Sequence, residues 1–177
     1  MPRIPYQPAD LAEPKELVDA IRKRRGGNLL NLDRMLLQSA PFARGWNAFL
    51  GEVRTGLELS PKLRELAMCV VAVLNGAAYE FQHHAPEFIK AGGTAQQVEA
   101  MQRSDTLGHD FSLFDSIERT AILLTIEMTR KIEVSDATFA AVRAALPNEQ
   151  QVVELVGVIA TYNMVSRFLV ALGVEPE

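Results

Sequence analysis

The sequence contains a single cysteine, Cys69, among its 177 residues. It therefore lacks the second thiol that an intrachain disulfide or a two-cysteine redox mechanism requires. With one thiol and no apolar run of secretory length near the N-terminus, we expect a reducing, cytoplasmic setting. Cys69 lies between Met68 and Val70 in an apolar helical segment, so we expect the thiol to be buried and unreactive.

The chain has no excess of positive charge, because 18 Lys and Arg residues stand against 22 Asp and Glu residues and the formal net charge is -4 at pH 7. Proteins that bind nucleic acids concentrate Lys and Arg on one face, so we expect no nucleic-acid partner. The one dense basic run, residues 22–25, stands just before Gly26 and Gly27. Cations are favourable at the C-terminal end of a helix, and we expect this run to have that role.

No uninterrupted apolar stretch is long enough to span a bilayer. The longest, residues 152–172, is broken by Glu154, Asn163 and Arg167. Charged and polar side chains are costly in a membrane, so we expect a buried helix and no membrane partner.

A strand pattern of alternating apolar and polar residues is also missing, whereas apolar residues recur at steps of three and four. The sequence therefore predicts an all-α fold. The proline-rich residues 1–14 are expected to form an extended arm. Residues 104–113 have the composition of a surface loop that could cover a pocket. The predicted helices cover residues 13–25, 28–39, 41–55, 61–75, 77–91, 94–103, 114–130, 135–146 and 148–172.

The segment from Arg64 to His84, RELAMCVVAVLNGAAYEFQHH, concentrates titratable side chains. Glu80 and His84 are four residues apart on one predicted helix and can hydrogen-bond each other. A carboxylate beside an imidazole fixes its tautomer and raises its pKa, which suits general acid-base catalysis near neutrality. The alternative is an ordinary helix-surface pair, which contributes roughly 0.2 to 0.5 kcal/mol.

Other polar residues of this segment also have two interpretations. Glu65 is either a further acid at the site or a carboxylate placed favourably in the first helical turn. His83 points about 100° away from His84 around the helix and is expected to be exposed or at an interface. Tyr79 is expected to be a half-buried packing residue. Glu80 and His83 form one Glu-x-x-His step of the di-iron kind, but no second step exists, so we expect no metal.

The spacing of these residues resembles the carboxymuconolactone decarboxylase and alkylhydroperoxidase D superfamily of small all-helical proteins. Its peroxidase branch carries Glu, eleven residues, Cys-x-x-Cys, three residues and His. Positions 65, 77, 80 and 84 reproduce this spacing, but Ala77 and Glu80 stand where the two cysteines would be. The peroxidase mechanism needs both thiols, so the resemblance to that branch does not carry its chemistry.

The decarboxylase-like branch commonly reads Y-E-W-x-x-H, and residues 79–84, YEFQHH, match it with one aromatic exchange. The resemblance extends through RELA and through residues 135–142 and 161–176. It implies a single-domain helical bundle of the alkylhydroperoxidase D-like type. We expect residues 41–177 to form the carboxymuconolactone decarboxylase-like domain and residues 1–40 to be an arm with short helices that pack on it, in one structural domain overall.

The resemblance implies loss of carbon dioxide from a small carboxylated lactone, without metal, flavin or nucleotide cofactor. Such a reaction needs a proton delivered to carbon. We expect His84 to donate that proton and Glu80 to orient the His84 ring. Glu65 is expected to be a second acid or base at the site.

A small anionic metabolite would need a cation at the site. The candidates are Arg64 and Arg167, and we expect Arg64, Tyr79 and His83 to contact the substrate. The resemblance also implies a homo-oligomer. A trimer or hexamer is expected, and a dimer is the alternative. The last helix, apolar on several sides, is consistent with a subunit interface.

Two other functions remain open. A thiol peroxidase would require Cys69 to be exposed, with a second thiol supplied from elsewhere. A non-catalytic oligomer that binds a small ligand would use the same apolar surfaces without proton transfer.

Overall fold

The computed structural model describes residues 1–103 and 111–177. This part of the chain contains helices and no strand, as predicted. Each helix lies within a few residues of a predicted one. The helices are α1 (Lys15–Arg25), α2 (Asn31–Leu36), α3 (Ala40–Thr55), α4 (Pro61–Leu74), α5 (Ala78–Lys90), α6 (Ala95–Gln102), α7 (Ser116–Arg130), α8 (Asp136–Ala145) and α9 (Glu149–Leu172).

Side-chain caps start several helices at the residues where the sequence predicts them. Ser60 Oγ accepts a hydrogen bond from the Leu63 amide at 3.2 Å, ahead of Pro61 in the first turn of α4. Thr94 and Ser135 cap α6 and α8 in the same way. These oxygens satisfy amides that have no partner within the helix, which fixes where each helix begins.

Residues 1–56 and 169–177 form one compact unit. Its residues 1–14 contain no helix, as predicted for the arm. Helix α1 ends at Gly26, which adopts a left-handed conformation with φ of 79°. The last residues of α1, Arg24 and Arg25, form ion pairs with the buried Asp33 at 3.3 and 3.0 Å. The basic run therefore has a structural role at the helix end.

The exposed aromatic residues of α3 correct one prediction. Trp46, Leu50 and Val53 are buried, but Phe42 and Phe49, expected on the same buried face, are about half exposed. Because successive helical residues turn by about 100°, both phenylalanines fall at one edge of the apolar stripe. The centre of the stripe faces the core, and that edge faces outward.

Residues 57–168 form the second unit, of which residues 104–110 lie outside the described part of the chain. Its central element is α4, which packs against α5, α6 and α7, while α8 packs on α7. Residues 66–72 of α4 are almost completely buried. A turn at Asn75 and Gly76, with φ of 65° at Gly76, then leads into α5. Glu65 of α4 and Glu80 of α5 are both buried.

Helix α9 is the one helix in the described part of the chain that is long and apolar enough to cross a membrane. Its most apolar window has a mean hydropathy of 1.7, and 44% of that window is buried inside the protein. Core helices meet the same criteria of length and composition. Within the second unit, Asn163 of α9 accepts a hydrogen bond from Asn75 at 3.0 Å.

The compact units divide between residues 56 and 57 and between residues 168 and 169. The domain boundary expected between residues 40 and 41 falls inside α3 and stays a prediction. The expected loop at 104–113 lies outside the described residues as far as residue 110.

Candidate active site

A hydrogen bond between α4 and α5 joins an imidazole to a carboxylate. His84 Nδ1 lies 2.7 Å from Glu65 Oε2. An ionised carboxylate only accepts hydrogen bonds, so Nδ1–H is the donor in this contact. The side chains of His84 and Glu65 are 13% and 10% exposed. An imidazole and a carboxylate are therefore in contact at a sheltered position.

Glu80 lies on the same helix as His84 and is only 2% exposed. Both of its carboxylate oxygens face the hydroxyl of Ser166, at 3.1 and 3.0 Å. Ser166 belongs to α9 and is fully buried. The sequence indicates Glu80 as the partner that orients His84, whereas the Nδ1 contact belongs to Glu65. The orienting role of Glu80 stays a prediction.

Cys69 is buried, as the sequence predicts. Burial raises the pKa of its thiol, and the negative charges of Glu65 and Glu80 raise it further. Both carboxylates therefore act on the same region of the interior. The thiolate, which is the nucleophilic form, is disfavoured there.

Helix α9 contributes a second residue to this region, Tyr162. Its buried ring meets the His84 ring edge-on, with 4.9 Å between centroids and an angle of 87°. Tyr162 and Ser166 are four residues apart and therefore share one helix face. Neither residue was predicted from the sequence. The sequence contains only a weak signal for them, a pair of hydroxyl side chains one turn apart in a largely apolar helix.

Tyr79 and His83 contact each other. Their rings stack with 4.2 Å between centroids, and His83 Nδ1 donates to the Tyr79 carbonyl oxygen at 2.8 Å. Tyr79 is buried rather than half-buried as expected, because the His83 ring one turn later covers it. Their role in substrate binding stays a prediction.

The two candidate cations occupy different environments. Arg64 is 12% exposed in its side chain, and its Nε lies 3.8 Å from Glu65 Oε1. Arg167 is exposed, and its Nη1 donates to the backbone oxygen and to Oδ1 of Asn163 at 2.9 and 2.8 Å. Arg64 is therefore the candidate that lies beside the Glu65 and His84 pair.

A metal ion bound by residues 1–103 and 111–177 would need several ligand side chains close together. This part of the chain contains no group of three or more His, Cys, Asp or Glu side chains arranged to hold a metal ion. His109 falls outside the described residues.

Comparison with known proteins gives a context for this geometry. Residues 40–112 match the model of the carboxymuconolactone decarboxylase family. An alkylhydroperoxidase core structure, an uncharacterized peroxidase-related protein from Ralstonia eutropha JMP134, superposes with a TM-score of 0.83. It is 16% identical, and the match covers 99% of this chain and 92% of that one. Residues 40–112 are therefore similar to the carboxymuconolactone decarboxylase family, and the fold is that of the alkylhydroperoxidase D core.

Two further solved structures have a similar fold. An uncharacterized peroxidase-related protein from Silicibacter sp. TM1040 has a TM-score of 0.80 at 19% identity, over 99% of this chain and 90% of that one. The debrominase Bmp8, solved in complex with 2,3,4-tribromopyrrole, has a TM-score of 0.81 at 14% identity, over 100% of this chain and 94% of that one. At these identities the likeness shows the fold alone. No curated protein matches the sequence significantly.

Proposed function

We propose that this protein belongs to the decarboxylase-like branch of the carboxymuconolactone decarboxylase and alkylhydroperoxidase D-like superfamily, and that it is a cofactor-free acid-base lyase or isomerase. Its substrate would be a small carboxylated lactone or a related anionic metabolite. The observation that carries the proposal is the sheltered hydrogen bond between Glu65 Oε2 and His84 Nδ1, at 2.7 Å. Because Nδ1–H donates to Glu65, we assign proton exchange with a substrate to Nε2.

The proposed reaction on a carboxylated lactone begins with cleavage of the bond between carbon and the carboxylate. Carbon dioxide leaves, and the electron pair stays on the substrate as a dienolate. The imidazolium of His84 then gives its Nε2 proton to carbon and becomes neutral. Glu65 stabilises the imidazolium through its negative charge, and solvent restores the proton after product release. Glu80 would add a second negative charge near the same site.

Thiol chemistry is the main competing function, because the structural neighbours include peroxidase-related proteins. Ala77 and Glu80 stand where the superfamily's peroxidase branch has its cysteines. Cys69 is buried, and the raised pKa of its thiol opposes formation of the nucleophile. These observations support proton transfer over thiol peroxidase activity.

We also propose that the protein is a cytoplasmic homo-oligomer, a trimer or hexamer. Helix α9 exposes apolar side chains, with Val153 70% and Met164 39% exposed. Exposed apolar residues along one helix are typical of a subunit interface. The same surface would serve a non-catalytic oligomer that binds a small ligand, which is the second candidate function. A mass in solution that corresponds to a monomer would contradict both the catalytic and the non-catalytic oligomer.

An assay of 4-carboxymuconolactone turnover, with carbon dioxide release as the measured quantity, tests the proposed reaction. We expect turnover by the unmodified protein and a loss of about 10²- to 10⁴-fold in His84→Gln, because the proton donor is removed. Glu65→Gln should also be slower, since it removes the charge that stabilises the imidazolium.

Glu87→Gln is the matched control for Glu65→Gln. Glu87 is an exposed acid on α5 that pairs with Lys90, so the variant should keep the full rate. No turnover by the unmodified protein, or equal rates in His84→Gln, would contradict the proposed reaction.

A further inference from the structure

Arg64 has an unsatisfied polar group in the interior. Its Nε is buried and has no hydrogen-bond acceptor, the one such side-chain nitrogen among the described residues of the second unit. The adjacent acid, through Glu65 Oε1, lies 3.8 Å away, too far for a hydrogen bond. A buried N–H without an acceptor is unfavourable, so this position favours binding of an acceptor.

Two other cations of this unit are already engaged. Lys62, two residues earlier on α4, pairs with the buried Glu118 at 2.6 Å. Arg167 donates to Asn163 on the surface. Arg64 is thus a sheltered cation beside the acid-base pair with a donor still to be used.

The geometry also places this donor close to His84. Arg64 Nε and His84 Nδ1 lie 3.8 and 2.7 Å from the two oxygens of the same Glu65 carboxylate. A ligand of lactone size that accepts a hydrogen bond from Arg64 would therefore be within reach of the imidazole.

We propose that the Arg64 guanidinium, through its buried Nε–H, is the anchor for the carboxylate of a small ligand. This inference rests on the proposed function for the identity of the ligand, and it adds the group that binds it. A guanidinium suits a carboxylate, because its planar donors can form charge-assisted hydrogen bonds to both oxygens.

Thermal denaturation of the full chain tests the anchor without any turnover. The probe is 5-oxotetrahydrofuran-2-carboxylate, and its methyl ester is the uncharged control. At a concentration ten times the dissociation constant, binding should raise the melting temperature by about 3 to 6 °C. The ester should produce no such increase.

Three variants identify the site. Arg64→Met should lose the carboxylate-dependent shift, while its melting temperature without ligand should equal or exceed that of the unmodified protein, because the unsatisfied N–H is gone. Arg167→Met makes the same charge change at the surface and should keep the shift. His84→Gln should also keep it, since it removes the proton donor and leaves the anchor.

The outcomes separate the anchor from the reaction. A shift that persists in Arg64→Met, an equal shift with the ester, or no shift with the carboxylate would each overturn the anchor. Loss of the shift in Arg167→Met would overturn it as well. A shift that depends on Arg64 in a protein that does not turn over 4-carboxymuconolactone would support the anchor and contradict only the proposed reaction.

Discussion

Replacement of Ser166 by Ala tests whether α9 holds Glu80 in place. The hydroxyl lies 3.1 and 3.0 Å from the two oxygens of a carboxylate that is 2% exposed. Hydrogen bonds to charged groups contribute about 1.5 to 3 kcal/mol. The substitution removes little volume, so the loss of this donor should dominate the change in the free energy of unfolding.

For a chain of this length, about 1 kcal/mol corresponds to about 2 to 4 °C in melting temperature. Ser166→Ala should therefore melt about 3 to 12 °C below the unmodified protein, as measured by circular dichroism, and should lose the same free energy in urea titration.

Thr161→Val is the matched control. It removes a hydroxyl from the same helix, but Thr161 Oγ1 donates only to the Gly157 carbonyl oxygen, at 2.7 Å. Loss of this neutral hydrogen bond should cost about 0.5 to 1.5 kcal/mol at most. Equal or smaller destabilisation in Ser166→Ala than in Thr161→Val would refute the argument that the Ser166 hydroxyl supports a buried charge.

The remaining predictions concern Cys69. The native protein should react slowly with a thiol reagent at neutral pH and rapidly once unfolded in urea, because the thiol is buried and its pKa is raised; rapid labelling of the native state would contradict this. A raised pKa also makes stability fall with increasing pH, since above the ordinary thiol value of 9.0 the unfolded state ionises and the folded state does not. Between pH 9 and pH 10 the unmodified protein should lose about 1 kcal/mol more than Cys69→Ala in urea titration, and parallel losses would show that the buried thiol ionises normally.

Much of the fold could be predicted from short sequence spans. Caps such as Ser60 and Thr94, and the break at Gly76, mark helix ends by local chemistry that involves a few neighbouring residues. Periodicity also identifies the apolar stripe of a helix, but it does not say which edge of the stripe faces the core. Phe42 and Phe49 lie exposed for that reason.

The candidate site depends on contacts between helices, which the spacing of residues along the sequence does not predict. Glu80 is the obvious partner of His84, because four residues on a helix bring two side chains together. The contact with Nδ1 comes from Glu65, 19 residues earlier and on another helix. Ser166 reaches Glu80 across 86 residues. Both contacts arise from how α4, α5 and α9 pack, which a pattern within one segment does not determine.

In the proposed mechanism, Glu65 holds His84 in one tautomer and stabilises its protonated form. Nitrogen NMR of the His84 ring tests this directly through a pH titration of the unmodified protein and of Glu65→Gln. We predict that neutral His84 carries its proton on Nδ1 and titrates at Nε2, and that the titration midpoint moves to lower pH in Glu65→Gln. A proton on Nε2 in the neutral ring, or an unchanged midpoint in the variant, would contradict the account.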